Sequence, residues 1–167
     1  MIQTNRLQLV PLTLDHAPAV LQHLWRDEQV LAYTNMTPLT TLEACEGKLY
    51  FFLQGQTDPT CPNHFAVLRK RRLIGIVGYP PLNSNHSQFG LYYQFAQAQW
   101  GKGYGTEATT ALLNFIFEHH PRAIVYADVV PENVASVKIL QTLGFTQTDV
   151  EEGDVPASDN LSFYRGK

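Results

Sequence analysis

Cysteine is scarce: Cys45 and Cys61 are the only two in 167 residues, with no C-x-x-C spacing. Two thiols cannot make a disulfide framework, so both are expected to be free in a reducing compartment, with the cytoplasm as default. Long apolar runs are missing. None approaches the roughly 20 residues a membrane span needs, and the opening "MIQTNRLQLV" has no apolar core of a signal peptide. Basic charge is thin as well. Twelve Lys and Arg against fifteen Asp and Glu leave a net charge of −3, which argues against a nucleic-acid footprint over the whole surface. The one basic cluster, "RKRR" at 69–72, lies between two apolar runs and reads as a solvated hairpin turn in preference to a phosphate or acidic-partner patch. The histidines are not spaced as a metal site, and His119 and His120 end a helix, where cations are favoured. No metal, nucleic acid or membrane partner is expected.

With 44% hydrophobic and 16% charged residues, the chain can bury a core and falls outside the disordered class. Its length fits a single domain over residues 1–167. No repeat, low-complexity segment or boundary is visible. "RLQLVPL" alternates and predicts a first strand. Thr13 precedes apolar positions Leu14, Ala17, Leu21 and Leu24 at helical spacing. A second helix follows in "TPLTTLEACEGKLYFFLQG", with a Thr40–Glu43 capping box, Leu42, Leu49, Phe52 and Leu53 on one face, and Gly55 as its stop. "QTDPTCPN" is a loop. Three strands, "HFAVLR", "RLIGIVGY" and "SQFGLYYQF", are joined by short connections and so predict antiparallel pairing. Then come a helix over 103–120, the strand "AIVYADV", a helix in "ENVASVKILQTL" opened by Pro131 and Glu132, and strands "FTQTDV" and "NLSFYR" around an acidic loop. The order β-α-α-β-β-β-α-β-α-β-β describes a mixed α/β (α+β) domain.

The stretch "QWGKGYGTEA" carries the chemistry. Gly101, Gly103 and Gly105 stand just ahead of a helix whose face is Ala108, Ala111, Leu112, Phe115 and Ile116. A helix start offers unpaired N–H groups and partial positive charge. Glycines upstream let the backbone curl and present more of them. A phosphate or pyrophosphate seat over 101–106 is expected, with Lys102 either adding charge or turned to solvent. A tight turn without a ligand would need one glycine, not three. Gly103-x-Gly105-x-x-Ala108 also matches the dinucleotide fingerprint. However, an antiparallel-looking half precedes it, and Asp128 lies too far on to bind a ribose. A P-loop is excluded by the missing Gly-Lys-Ser/Thr.

"QWGKGYGTEA" together with "PENVASVKILQTLGF", the opening "TNRLQLVPLTLDHAPAVLQHL" and the strand order resembles the GNAT N-acetyltransferases, in their RimJ/RimL-like, ribosomal-protein-type branch, from about Thr4 to Phe145. Trp100 stands where the family's Gln/Arg-x-x-Gly-x-Gly/Ala signature has Gln or Arg. The resemblance implies a mostly antiparallel sheet flanked by helices, with a splayed parallel strand pair holding acetyl-CoA. The amides of Trp100, Gly101, Lys102, Gly103, Tyr104, Gly105 and Thr106 would hold its pyrophosphate. The arm would pair with the strand around Phe95, in the manner of an added strand. Asn133 and Ser136 match the family's Asn-x-x-Ser. Asn133 would bond the arm, though it also suits a helix cap. Ser136 would lie by the thiol and is the candidate proton donor, though it also suits a small buried position. Leu140 replaces the tyrosine that many relatives carry.

The implied reaction is direct attack of a primary amine, of a small molecule or a protein N-terminus, on the thioester. A strand N–H near Phe95 would bind the oxyanion. No carboxylate lies on strand 87–95 to act as base, which leaves His86, Tyr92, Tyr93 or water. Asp27, Glu28, Glu43 and the acidic loop are candidates to draw in a cationic amine. Two other functions fit parts of the pattern: an acyl-CoA-binding sensor without turnover, and, more distantly, an NAD-dependent oxidoreductase. A monomer or homodimer is expected.

Overall fold

The computed structural model of the chain describes residues 1–54, 61–148 and 160–167. Gly55, most of the loop at 56–63, the last two residues of "FTQTDV" and most of the acidic loop lie outside those residues. The elements are β1 (Ile2–Gln3), β2 (Gln8–Pro11), a 3₁₀ turn (Leu14–His16), α1 (Ala17–Val20), a π-helical turn (Leu21–Trp25), α2 (Glu28–Leu31) and α3 (Leu42–Leu53). Then follow β3 (His64–Arg69), β4 (Arg72–Gly78), β5 (Gln88–Gly90), β6 (Tyr92–Phe95), a second 3₁₀ turn (Gln97–Gln99), α4 (Tyr104–His119), β7 (Ile124–Val129), α5 (Val134–Thr142), β8 (Thr146–Thr148) and β9 (Leu161–Arg165).

Local chemistry explains where the elements begin and end. Two residues, Lys70 (φ 48°) and Arg71 (φ 64°), link β3 to β4. Positive φ at both central positions is what a two-residue hairpin turn with right-handed twist requires, so "RKRR" is a turn, as its flanks implied. Helix α5 ends as Gly144 predicted. Gly144, at φ 76°, donates its N–H to Gln141 O at 3.1 Å, and Phe145 donates to Leu140 O at 3.0 Å, the paired bonds of a Schellman close.

Several boundaries differ from expectation. Thr41, not Thr40, caps α3, its Oγ1 accepting from the Ala44 N–H at 3.2 Å, so the Thr40–Glu43 box does not form. Pro131 and Glu132 precede α5 instead of opening it, because Asn133 is the cap residue. The first helix is three short pieces and leaves Leu14 43% exposed. Strand β1 and helix α2 are too short for periodicity to reveal. Asp27 Oδ1 starts α2 by accepting from Gln29 N–H at 2.9 Å.

Two sheets result, β1-β2-β3-β4-β6 and β5-β7-β9-β8. All their ladders are antiparallel except β5–β7, which is parallel. Strands β5 and β6 are the two halves of the predicted "SQFGLYYQF", interrupted at Leu91. One face of the sheets packs on α4 and α5 around Phe65, Val77, Leu112 and Leu140. The other face of the first sheet packs on α1 to α3 around Trp25, Leu49 and Ile76.

That second core holds a polar pair. Tyr92 OH meets His64 Nδ1 at 2.8 Å, and the Phe52 ring lies 5.7 Å from His64 and 5.4 Å from Tyr92. To reach His64 the Tyr92 ring crosses Gly78, where a Cβ would overlap it. Burial pushes the His64 pKa down from 6.5 to about 4 and the Tyr92 phenol well up.

The His64 shift fixes a pH dependence. Between pH 6.5 and about 4 the unfolded chain takes up a proton that folded His64 refuses, so stability is complete above this window and falls as pH drops through it. The slope is about 1.4 kcal/mol per pH unit for one such group. His120, lowered by burial and then by His119 and His86, acts with the same sign. Urea unfolding at stepped pH should show the loss, and His64→Gln should flatten most of it, whatever its effect at neutral pH.

Candidate functional site

The break at Leu91 creates the site. Pairing between β5 and β7 ends at Gly90 and Tyr126, with a last bond from Leu91 N–H to Tyr126 O at 2.7 Å. Beyond it β6 pairs only with β4, from Tyr92–Gly78 to Phe95–Gly75, and a gap opens between β6 and β7. The Ala96 N–H donates to Ile74 O at 2.9 Å. Antiparallel pairing alternates, so Tyr92, Gln94 and Ala96 direct their backbone groups to β4, while Tyr93 and Phe95 turn theirs toward the gap. The Phe95 carbonyl already accepts from the Trp100 indole N–H at 2.8 Å. The amides of Tyr93 and Phe95 remain.

Helix α4 begins at the end of this gap. Gly103 (φ 78°) is its N-cap and supplies no side-chain cap, and Gly101 (φ 71°) bends the chain ahead of it. The first-turn amides of Tyr104, Gly105 and Thr106 have no intrahelical acceptor. Those of Gly101, Lys102 and Gly103 make no backbone bond to the described residues. Trp100 differs from expectation: its own amide donates to Gln97 O at 3.1 Å, so the row of open amides starts at Gly101. Lys102 Nζ turns back to Ala98 O at 2.6 Å, away from the row. A Cβ on Gly105 would stand 3.1 Å from Ile139 Cδ1 and 3.8 Å from the Phe95 ring, so this glycine lets α4 sit close against α5 and β6.

Arg6 is a site residue that sequence patterning misses, because its partners are far along the chain and no spacing signals them. Its Nε lies 2.6 Å from Glu107 Oε2, its Nη1 donates to Lys102 O at 3.0 Å, and its guanidinium covers the Tyr104 ring at 4.6 Å. Arg69 approaches the same ring at 5.2 Å. Burial raises the Glu107 pKa, but hydrogen bonds from Thr4 and Arg6 and the Arg6 charge outweigh it and hold the carboxyl below its usual range. Glu107 thus stays charged and anchors Arg6 beside the helix start, leaving two guanidinium groups near the open amides.

On α5, Asn133 Oδ1 accepts from Ser136 N–H at 3.2 Å, so Asn133 is the helix cap and has its side-chain NH₂ left over. Ser136 does not bond back to a helix carbonyl through its hydroxyl, unlike Thr142, which reaches Lys138 O at 2.8 Å. Ser136 is half-buried, and its carbonyl accepts from Tyr93 OH at 3.3 Å. Leu140 is fully buried in the core. The structure therefore sets Phe95 beside Gly105 at the start of the open amides and Ser136 beside Tyr93, while Asn133 caps the helix that carries Ser136. Of the candidate bases only Tyr93 lies at the gap, its hydroxyl on Ser136 O. His86 precedes β5, at the far end of the strand, with its ring by Phe89, and Tyr92 is committed to His64 on the other face of the sheet.

A chain that splays one strand pair beside an uncapped, glycine-led helix has the architecture of a CoA-dependent acyltransferase, and comparison with known proteins agrees. Residues 6–146 match the acetyltransferase (GNAT) domain. The chain belongs to the GNAT family and is an acetyl-CoA-dependent N-acetyltransferase. The uncharacterized N-acetyltransferase p20 of Bacillus licheniformis is 29% identical over 150 residues, 86% of this chain and 81% of its own. Among solved structures, RimL, the ribosomal L7/L12 alpha-N-protein acetyltransferase in complex with coenzyme A, superposes with a TM-score of 0.79 at 13% identity, covering 97% of this chain and 94% of that one. The ribosomal-protein-S5-alanine acetyltransferase of Vibrio fischeri gives 0.75 at 18% identity, with 97% and 92% covered. At these identities the neighbours show a shared fold. The oxidoreductase alternative falls, because the strand before the glycines is antiparallel to its neighbour β4 and the family is a transferase. Among the described residues no group of three or more His, Cys, Asp or Glu could hold a metal, and no helix is long and apolar enough to cross a membrane.

Gly103→Ala puts a Cβ on a left-handed residue. It should cost about 1–2 kcal/mol of unfolding free energy, measurable in urea. Gly47→Ala, with nothing within 4 Å of its Cβ, should be neutral or stabilising by up to about 1 kcal/mol in the same assay.

Proposed function

We propose that the gap between β6 and β7 holds the acetylated arm of acetyl-CoA, with its pyrophosphate on the amides of Gly101 to Thr106. The observation that carries this is the divergence of β6 from β7 after Leu91, which leaves strand amides open in line with an uncapped helix start. An extended amide-bearing arm replaces the missing ladder partner. The side-chain NH₂ of Asn133, which its cap bond leaves over, is the candidate donor to that arm, and Arg6 and Arg69 add positive charge near the phosphates. When bound, acetyl-CoA supplies an activated thioester carbonyl. The N–H groups of Tyr93 and Phe95 are the candidates to hold the oxygen of that carbonyl as it gains charge, a role worth about 10²–10³ in rate per donor. Ser136 borders the same gap and helps to fix its wall.

The acceptor is a primary amine that attacks in its neutral form, on a small molecule or at a protein N-terminus. Glu107 at the α4 start is held by Arg6 and Asp128 on β7 accepts from Ser162, so the amine proton passes to water. Nothing in the geometry favours a sensor without turnover over an enzyme.

The test is thermal unfolding with acetyl-CoA, CoA, NAD and ATP in parallel. A ligand at about 100 times its Kd stabilises by roughly 2.7 kcal/mol, a clear rise in Tm. Acetyl-CoA and CoA should raise Tm and NAD should not. Equal silence from both CoA ligands would overturn the site. Thiol release with spermidine and with a peptide bearing a free α-amino group then separates turnover from binding alone.

A further inference from the structure

Resting on the acetyl-CoA site above, we propose that Tyr93, on strand β6, is the group that protonates the departing CoA sulfur. Helix α5 brings no acid to the gap: Leu140 stands where relatives carry a tyrosine and is fully buried. The phenol arrives from the strand instead. The pleat of β6 sends Tyr93 to the α4–α5 side, where it packs against that core. Its hydroxyl reaches Ser136 O at 3.3 Å, so it spans from the strand that borders the gap to the helix that covers it. At that length the bond is longer than O–H···O bonds usually are, so the O–H is readily redirected to a sulfur that enters beside it.

The phosphate seat is close by. A Cβ on Gly105 would meet Ile139 and the Phe95 ring. Tyr93 lies two residues back along β6, about 7 Å, and Ser136 three residues back along α5, about one turn. An arm leading away from Gly105 along β6 passes Tyr93 next.

The chemistry favours a phenol over the Ser136 hydroxyl. A proton donor works best when its acidity is near that of the group it serves, and tyrosine near 10 is far closer to a thiol near 8.5 than a serine alcohol is. Burial pushes the Tyr93 phenol up, partly offset by Ser136, and no charged group acts on it, so it stays protonated where a thiol ionises. As the tetrahedral intermediate collapses, its C–S bond breaks and the electron pair goes to sulfur. The Tyr93 proton follows to give CoA thiol. The proton shed by the amine nitrogen returns through water to the tyrosinate. Ser136, which accepts from the phenol in the free protein, is a positioning residue.

The test needs no acceptor amine. CoA and desulfo-CoA are titrated against the wild-type protein and Tyr93→Phe from about pH 7 to about pH 9.5, across the ionisation of a free thiol. Wild type should bind CoA progressively tighter than desulfo-CoA as pH rises, by about tenfold, as expected for a hydrogen bond to a charged acceptor. Tyr93→Phe should fold, bind both ligands at neutral pH and lose this pH-dependent gain. The same gain in both proteins would overturn Tyr93 as the donor and leave the acetyl-CoA site standing. So would its absence from both. Failure of either protein to bind CoA at any pH would overturn the site and the donor together. With an amine that is turned over, Tyr93→Phe should lower kcat by about 10²-fold and leave the KM for acetyl-CoA within about twofold. Equal kcat values would count against it.

Discussion

The structure turns on one irregularity, the break at Leu91. A single segment of chain serves two sheets, pairing parallel with β7 as β5 and antiparallel with β4 as β6. A continuous strand in one sheet would satisfy both its edges. Splitting it leaves one edge of β6 without a neighbour, a state that soluble proteins normally avoid or cover. Here the open edge points inward, between α4, α5 and β7. An inward edge with unpaired amides is costly when empty and is relieved by a ligand that can form a ladder. The same irregularity therefore accounts for the shape of the gap and for the kind of molecule that fits it.

The phosphate end depends on a second constraint, the anchoring of the α4 start. An uncapped helix terminus with two positive-φ glycines in front is expected to fray. Arg6 prevents this by tying β1–β2 to the first turn through Glu107 and to the turn itself through the Lys102 carbonyl. The pair is partly exposed, so its direct worth is small. Its use lies in geometry: one planar guanidinium bonds a carboxylate and a carbonyl and stacks on Tyr104 at the same time, which Lys would not reproduce. The open amides are thus held ready before any ligand arrives.

Much of this was visible in the sequence. Hydrophobic period, turn residues and the paired motifs gave the element order, the β3–β4 hairpin, the glycine-led helix and the acetyltransferase family. Three kinds of feature were not visible. Short elements such as β1 and α2 are fixed by tertiary contacts and carry too few residues for a period. Helix starts shifted by a residue or two: Thr41 caps α3 in place of Thr40, since either hydroxyl can cap and only the packed helix decides, and α5 starts past Pro131 and Glu132, at Asn133. Long-range polar contacts, such as Arg6 with Glu107, have no signature at all, since side-chain reach across folded elements is not encoded in spacing.

The adjacent tyrosines of β6 show most directly what the backbone adds to residue type. In sequence Tyr92 and Tyr93 are equivalent candidates for proton chemistry. The pleat separates them. Tyr92 goes under α3, crosses Gly78 and closes on His64, and burial then drives its pKa and that of His64 in opposite directions. Burial keeps both neutral, and the pair becomes part of the core. Tyr93 goes to the other face, where its only hydrogen bond among the described residues is a long one to a helix carbonyl. A strand that presents one phenol to a closed core and the next to an open gap has assigned structure to the first and chemistry to the second, and the side of the sheet decides which is which.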